Sequence, residues 1–332
     1  MAQIGRIKVD VAIDGKNVTA DVGPCLSKVT FSDKEEAESD DVTLVFEDTE
    51  GLWRGSWYPQ QGDILELRIG EEGNMLDCGI FEIDEIEYDF PPDTVTVKAI
   101  GAAITKTLRT KNSKAFEKQT LKKIAQYFAD KHGLKLTGDL GDLSKITVDR
   151  KTQDKETDIS FLSKLAKEYG LVFSVRGDRL VFMDGDDLDG QDSIITFDRG
   201  QISKGRFRDK TSQVFGGATV ATRDMRSSSV KKWQIKPSGN ATEKDILIVN
   251  GRAENEGQAQ AKAKGALKEK NKDKITGTIT VPGNVKLVAG VNINLTGIGD
   301  FSGKWHVESS QHDAGKDGGY STNANLRKVE KK

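Results

Sequence analysis

Ile7, Val9, Val11 and Ile13 alternate with polar residues, the period-two pattern of a strand buried on one face. Asp14-Gly15-Lys16-Asn17 predicts a hairpin turn, after which Val18, Ala20 and Val22 resume the alternation. Further short apolar strands are predicted at 42–46, 64–69, 80–86 and 94–97, separated by Gly-, Asp- and Pro-rich turns that include Pro91-Pro92-Asp93. Strands at this spacing predict a small antiparallel barrel or sandwich over residues 1–100.

The period then changes. Leu121, Ile124, Ala125 and Phe128 fall at i, i+3, i+4 and i+7, one stripe of an amphipathic helix that His132-Gly133 ends. Leu162, Leu165, Ala166 and Tyr169 repeat the spacing, with Thr157 or Asp158 as cap and Gly170 after the end. A hairpin follows, 171–175 and 180–183 around Arg176-Gly177-Asp178-Arg179. Residues 101–188 therefore read as an α+β unit inserted between two β regions. Strands return at 194–197 and 214–215. Residues 221–245 are polar and read as a long loop, and 256–270 as a helix with Ala259, Ala263 and Ala266 on one side. Short strands at 275–281, 291–295 and 305–307 complete a second β region, 189–332.

The two β regions echo each other. Gly62 is followed by Leu65 and Leu67, and Gly290 by Ile293 and Leu295, at the same steps. Gly79 leads to Phe81 and Ile83 as Gly303 leads to Trp305 and Val307. The expected fold is β-rich α+β: two similar small antiparallel β-barrel domains with an α+β domain between them.

Composition narrows the function. The chain has 332 residues, 36% hydrophobic with 34 Gly and only 6 Pro, which is globular rather than disordered or fibrous. A net charge of −2 disfavours a nucleic-acid binder, whose affinity rests on many Lys and Arg neutralising phosphates. Cys25 and Cys78 are too few for a disulfide framework or a thiolate metal site. The first residues lack the apolar stretch of a signal peptide, and no apolar run nears the roughly 18 residues of a membrane span. Synthesis and assembly in a cytoplasm is the expectation.

Candidate chemistry is sparse. His132 falls at a helix C-terminus, where the dipole favours it; His306 lies in a strand beside Trp305; His312 reads as part of a polar loop. No two have the spacing of a helical metal pair, and no Gly-x-Ser-x-Gly elbow supplies a nucleophile. Asp184-Gly185-Asp186-Asp187-Leu188-Asp189-Gly190 imitates a calcium loop, but Leu188 and Ile195 occupy ligand places, so it reads as a solvated acidic turn. Ser228-Ser229-Val230-Lys231 matches Ser-x-x-Lys without its companion motifs. No catalytic residue, cofactor or metal is expected. Asp33, Glu35, Glu36, Glu38, Asp40 and Asp41 read as an acidic loop. Lys106, Arg109, Lys111, Lys114, Lys118, Lys122 and Lys123 form a basic stretch. Both are solvated faces or docking surfaces.

Four stretches resemble the phage late control protein D family, the tail hubs of contractile-tailed phages and R-type bacteriocins, and more distantly the hub part of type VI secretion spike proteins. They are Asp40-Asp41-Val42-Thr43-Leu44-Val45-Phe46-Glu47-Asp48 with Gly62-Asp63-Ile64-Leu65-Glu66-Leu67; Gly79-Ile80-Phe81-Glu82-Ile83-Asp84-Glu85-Ile86 with Pro91-Pro92-Asp93-Thr94-Val95; His132-Gly133-Leu134 with Thr157-Asp158-Ile159-Ser160-Phe161-Leu162 and Leu165-Ala166-Lys167-Glu168-Tyr169-Gly170; and Ala289-Gly290-Val291, Gly303-Lys304-Trp305, His312 and Gly319-Tyr320-Ser321-Thr322. The resemblance implies structural roles for Gly62, Gly79, Phe81, Leu162, Tyr169, Gly170, Gly290, Gly303, Trp305, His312, Gly319 and Tyr320. No lysozyme-like insertion or needle-like tail is seen, which implies a plain hub with a separate spike. It further implies a homotrimer whose six similar barrels adapt a sixfold tail tube to a threefold spike. Its partners would be copies of itself, tail tube protein and spike protein, with tape-measure and baseplate wedge proteins as further candidates. Two other classes remain open: a tail-associated enzyme degrading peptidoglycan, and a carbohydrate- or receptor-binding β module. Against the second, only 7% of residues are aromatic, and Trp53, Trp57, Trp233 and Trp305 form no spaced series.

Overall fold

The computed structural model describes residues 7–35, 39–102, 106–212, 214–223, 230–235, 246–250, 253, 256–316 and 318–329. The opening strands are β1 (Ile7–Ile13), β2 (Lys16–Asn17), β3 (Leu26–Lys34), β4 (Asp41–Glu47), β5 (Ile64–Glu71), β6 (Asn74–Asp89) and β7 (Thr94–Gly101), with one helical turn, α1 (Thr19–Val22), after β2. Next come α2 (Lys106–Arg109), β8 (Lys111–Thr120), α3 (Leu121–Lys131), β9 (Lys135–Thr137), β10 (Thr147–Thr157), α4 (Asp158–Tyr169), β11 (Leu171–Arg176), β12 (Arg179–Asp184) and α5 (Gly185–Gly190). The remainder is β13 (Ser193–Asp198), β14 (Lys204–Asp209), β15 (Gly217–Arg223), β16 (Val230–Ile235), β17 (Ile246–Asn250), α6 (Glu256–Asn271), β18 (Ile275–Pro282), β19 (Asn292–Thr296), β20 (Gly303–Gly315) and β21 (Gly319–Lys328). The fold is mostly β.

Contacts divide the chain into two units. The first is Met1–Ile104, Asp192–Phe207 and Gly277–Lys332; the second is Thr105–Gln191 and Arg208–Thr276. This differs from the expected division at 100 and 188. The opening and closing β regions share one sheet, and residues 208–276, expected within the closing region, sit with the middle segment. Two local expectations also change. The alternation at Val18, Ala20 and Val22 ends in α1, where the Thr19 hydroxyl accepts from the Val11 amide at 2.8 Å and Val22 is buried. Within the expected loop 221–245, β16 pairs antiparallel with β15, placing Val220 opposite Trp233. Ser228 and Ser229 lie outside the described residues.

In the first unit the sheet runs β14-β18-β21-β20-β3-β4-β7-β6-β5-β1-β2, with β19 also on β20 and β13 on β19. Alternation explains the individual strands: in β4, Val42, Leu44 and Phe46 point inward and are almost wholly buried, and Phe46 stacks on Trp53 at 3.7 Å. The order hides a repetition. Strands β3-β4-β7-β6-β5-β1 form one set of six, and β14-β18-β21-β20-β19-β13 form another. Taken along the chain, the first, second, third, fourth, fifth and sixth strands of each set hold the same places. One pairing differs in direction: β1 is antiparallel to β5, whereas β13 is parallel to β19. Where residues 35–40 join β3 to β4, the second set's corresponding connection, from β14 to β18, carries the second segment of the other unit.

In the second unit, Thr120 and Thr157 cap α3 and α4, their hydroxyls accepting from the amides of Lys123 (3.3 Å) and Ser160 (3.1 Å). Phe116, Phe128 and Phe161 cluster with ring centroids 5.5–5.6 Å apart. The small-residue face of α6 packs on α4, and Gly265 meets Gly170 backbone to backbone.

Candidate assembly interface

The echo in sequence is an echo in hydrogen bonding. In the β5–β6 hairpin, Leu65 faces Phe81 and Leu67 faces Gly79. In the β19–β20 hairpin, Ile293 faces Trp305 and Leu295 faces Gly303. The Gly62 amide donates to Ile83 O at 2.8 Å, and the Ile83 amide to Asp63 O at 2.9 Å. The Gly290 amide donates to Val307 O at 2.8 Å, and the Val307 amide to Val291 O at 2.9 Å. Gly62 and Gly290 both need positive φ, +95° and +84°, which is why glycine opens both hairpins. The six apolar side chains facing inward, with Ile83 and Val307, are at most 1% exposed. Each long strand then carries a bulge at the same place. The β6–β7 register shifts between Ile83 and Glu85, and the β20–β21 register between Val307 and Ser309.

Beyond its bulge β20 leaves β19 and accepts β3, pairing Ser309 with Lys34, Gln311 with Ser32 and Asp313 with Thr30. This junction joins the two strand sets, and it is polar and buried. The Asp33 carboxylate accepts from the Ala289 amide at 2.7 Å. His306 lies between Glu35 and Asn292, at 2.8 Å from each. Asp33 and Glu35 are thus buried pairing groups rather than parts of an acidic loop, because β3 continues to Lys34 and carries them under β20. Glu36 and Glu38 lie outside the described residues.

His312 sits in β20, fully buried, not in a loop. It stacks on Phe31. Its Nε2 faces Leu287 O at 3.2 Å, an atom that only accepts, so the proton is on Nε2, and Nδ1 accepts from the Tyr320 hydroxyl at 2.8 Å. Ser310 and Thr322 hydroxyls stand 3.3 Å away. Burial holds the imidazole's pKa down, at about 4 against an ordinary 6.5, and pushes the Tyr320 phenol up to about 12. The unfolded chain therefore takes up a proton that the folded chain refuses. The stability this neutral histidine supports is complete above pH 6.5 and is lost as pH falls towards 4, by at most about 3 kcal/mol. Urea unfolding at pH 7 and pH 4 is expected to show a larger acid loss in the wild type than in His312→Gln, by about 2–3 kcal/mol. Equal losses would refute the assignment.

Of the other sequence-marked positions, Gly319 closes the β20–β21 turn as the first residue of β21, and Tyr320 lies over Gly283, where a methyl group would stand 1.9 Å from its ring. Gly283 carried no signal beyond the Pro282-Gly283 pair. Leu162, Tyr169 and Gly170 belong to the second unit and form the α4 face and its cap. His132 is the C-cap of α3, at the helix C-terminus where the sequence placed it, and its Nε2 also donates to the buried Asp158 carboxylate at 2.8 Å. The acidic turn at 184–190 is α5, and Asp186 binds Lys264 at 2.7 Å and Lys268 at 2.9 Å. Burial would raise the Asp186 carboxyl's pKa, but the two ammonium groups outweigh it and hold it well below the usual range. Among the described residues no group of three His, Cys, Asp or Glu is placed to hold a metal, and no helix is long and apolar enough to cross a membrane.

The two repeated strand sets thus meet at a buried polar junction. Residues 81–318, which begin at Phe81 within β6 and take in all of β20, match the family model of the phage tail baseplate hub (GPD). The chain belongs to the phage tail baseplate hub family. A curated relative, the probable baseplate hub protein of Escherichia phage 186, is 29% identical over 175 residues, 52% of this chain and 44% of the relative. The hub chain therefore spans under half the length of that relative. Its fold is similar to that of the 43 kDa tail protein of prophage MuSo2 from Shewanella oneidensis, with a TM-score of 0.74 at 16% identity, covering 97% of this chain and 98% of that one. It is also similar to the E. coli c3393 protein, described as a component of the type VI secretion system, with a TM-score of 0.60 at 10% identity, covering 97% and 76%.

Proposed function

We propose that this hub chain is a structural, non-enzymatic adaptor at the centre of a contractile phage tail or tail-like particle. Each six-strand set closes as a small barrel of the kind the tail tube repeats. Three chains form a ring of six such barrels, one face meeting a sixfold tube and the other a threefold spike. Residues 189–332 without the second unit's segment supply the second barrel; the first segment of the second unit lies between the two barrels in the chain, and its second segment is inserted within the second barrel. Tube protein and spike protein are the first partners, tape-measure and wedge proteins further ones, and assembly takes place in the bacterial cytoplasm. The observation that carries this reading is the repeated strand order with its repeated hairpin register: a chain that offers one surface twice can meet a sixfold partner with three copies.

Sedimentation of the purified chain at micromolar concentration, with and without a trimeric spike encoded beside it, tests the proposal. A trimer is expected, alone or on the spike. A monomer in both conditions overturns it. Clearing of a peptidoglycan suspension by the pure chain would overturn its non-enzymatic part.

A further inference from the structure

The two strand sets are alike, but their edges are not used alike. The outer part of β20, past its bulge, is covered by β3 of the other set. The corresponding part of β6, residues 85–89 past the matching bulge, pairs with β7 on one side and, among the described residues, with no strand on the other. The strand of the second set that holds β3's place is β14, which has β18 as its one neighbour among the described residues. One edge and one acceptor are thus satisfied within the chain, and one of each is left open. Exposed strand edges of this kind invite pairing with another chain.

The alignment of the open pair is set by the closed one. Trp305 corresponds to Phe81 through the hairpin registers. Phe31 packs on Phe81 with centroids 6.0 Å apart, and Phe207 packs on Trp305 at 5.3 Å, so Phe207 of β14 corresponds to Phe31 of β3. Carrying the β3–β20 register across, Lys34 opposite Ser309 becomes Lys210 opposite Glu85. Ser32 opposite Gln311 becomes Arg208 opposite Glu87, and Thr30 opposite Asp313 becomes Arg206 opposite Asp89. All three transferred pairs are of opposite charge, although nothing in the transfer used charge. Asp89 even corresponds to Asp313, which already accepts from the Thr30 hydroxyl at 2.8 Å within the chain.

We infer that β14 of one copy adds to the open edge of β6 in a second copy, antiparallel, with Arg206 facing Asp89, Arg208 facing Glu87 and Lys210, the residue after β14, facing Glu85. This rests on the ring reading and names the surface that closes it. Arg206, Arg208, Glu85, Glu87 and Asp89 are exposed, and Glu85 and Glu87 share Lys98 at 3.0 and 2.9 Å on the same face. Backbone hydrogen bonds supply the adhesion, as in any strand addition. The charges supply direction. Pairing β14 with β14 would oppose cations, and β6 with β6 would oppose carboxylates, both destabilising. A one-residue slip would turn the Arg and Glu side chains to opposite faces. The contact is therefore head-to-tail, the type that generates rings.

Two sets of variants test this on the full chain. Arg206→Glu with Arg208→Glu is expected to weaken trimerisation at least tenfold, and Glu87→Arg with Asp89→Arg likewise. The four changes in one chain restore it. Circular dichroism confirms that each variant is folded. Independently, Arg208→Cys with Glu87→Cys is expected to yield a disulfide-linked trimer on oxidation, since facing residues of an antiparallel pair lie about 4.5–5.5 Å apart at Cα, within disulfide reach. Peptide mapping separates that bond from any formed by Cys25 or Cys78. A trimer that ignores the charge reversals and forms no 208–87 bond overturns this pairing and leaves the ring standing. A chain that stays monomeric in every condition with no linked species overturns both.

Discussion

Asp158→Ala is expected to destabilise the second unit by about 3–5 kcal/mol, the cost of breaking a buried ion pair from one side. Asp158 is the first residue of α4 and is fully buried. Its Oδ1 accepts from Gln153 (2.7 Å) and Asn112 (3.2 Å), and its Oδ2 from Lys131 (2.5 Å) and His132 (2.8 Å). Burial works against the charged form, but the hydrogen bonds from Gln153, Lys131 and His132 outweigh it and hold the carboxyl below its ordinary 3.8. One carboxylate thus ties β8, β10, α3 and α4 together. Alanine leaves an ammonium, two amides and an imidazole facing a void. Because the folded carboxyl titrates below the unfolded one, its contribution is complete above about pH 4 and disappears as pH falls further. Hydrogen exchange in α3 and α4 at pH 7 reads the loss directly. Protection equal to wild type would refute it.

Gly265→Val is expected to unfold the packing of α6 on α4, a loss of about 4 kcal/mol, above the roughly 1–3 kcal/mol typical of overpacked sites. A methyl group on Gly265 would stand 2.5 Å from the Gly170 nitrogen and 2.6 Å from the Tyr169 carbonyl carbon. Both are backbone atoms, so no side chain can turn aside. Gly170 itself is locked, since it caps α4 in the left-handed conformation at φ +71°. Helix propensity alone predicts the opposite sign, because glycine within a helix costs about 1 kcal/mol relative to alanine. Limited proteolysis of the variant should open residues 208–276 while leaving the first unit resistant. Wild-type resistance would show that the two helices can separate without loss.

These two sites mark how far the sequence is legible. Thr157 as cap, the stripe Leu162, Leu165, Ala166 and Tyr169, and Gly170 at the end are all readable, because a helix's caps and buried face recur within a few residues. That Gly170 needs a second glycine at 265 is not readable, since the two meet only when the helices pack. Asp158 was legible as a helix-start residue and not as the centre of an ion cluster. Its four partners come from three other elements, β8, β10 and α3 with its C-cap. Asp33 and Glu35 illustrate the same limit on the β side. Their composition is that of a solvated loop, yet their partners are an amide 256 residues away and an imidazole 271 residues away.

What the amino-acid order determined by itself was local: the strands, the capped helices, and the hairpin that occurs twice with its glycines, aromatic residues and spacings intact. Side-chain periodicity reports which face is buried, and turns report their own backbone angles, so both can be read within ten residues. Only the tertiary structure decided which strand edges meet, that residues 208–276 leave the sheet between β14 and β18, and that one edge and one acceptor stay open. Edge pairing is made by backbone groups that nearly every residue carries, and closing a longer loop costs only slightly more, so neither composition nor sequence distance marks it in advance.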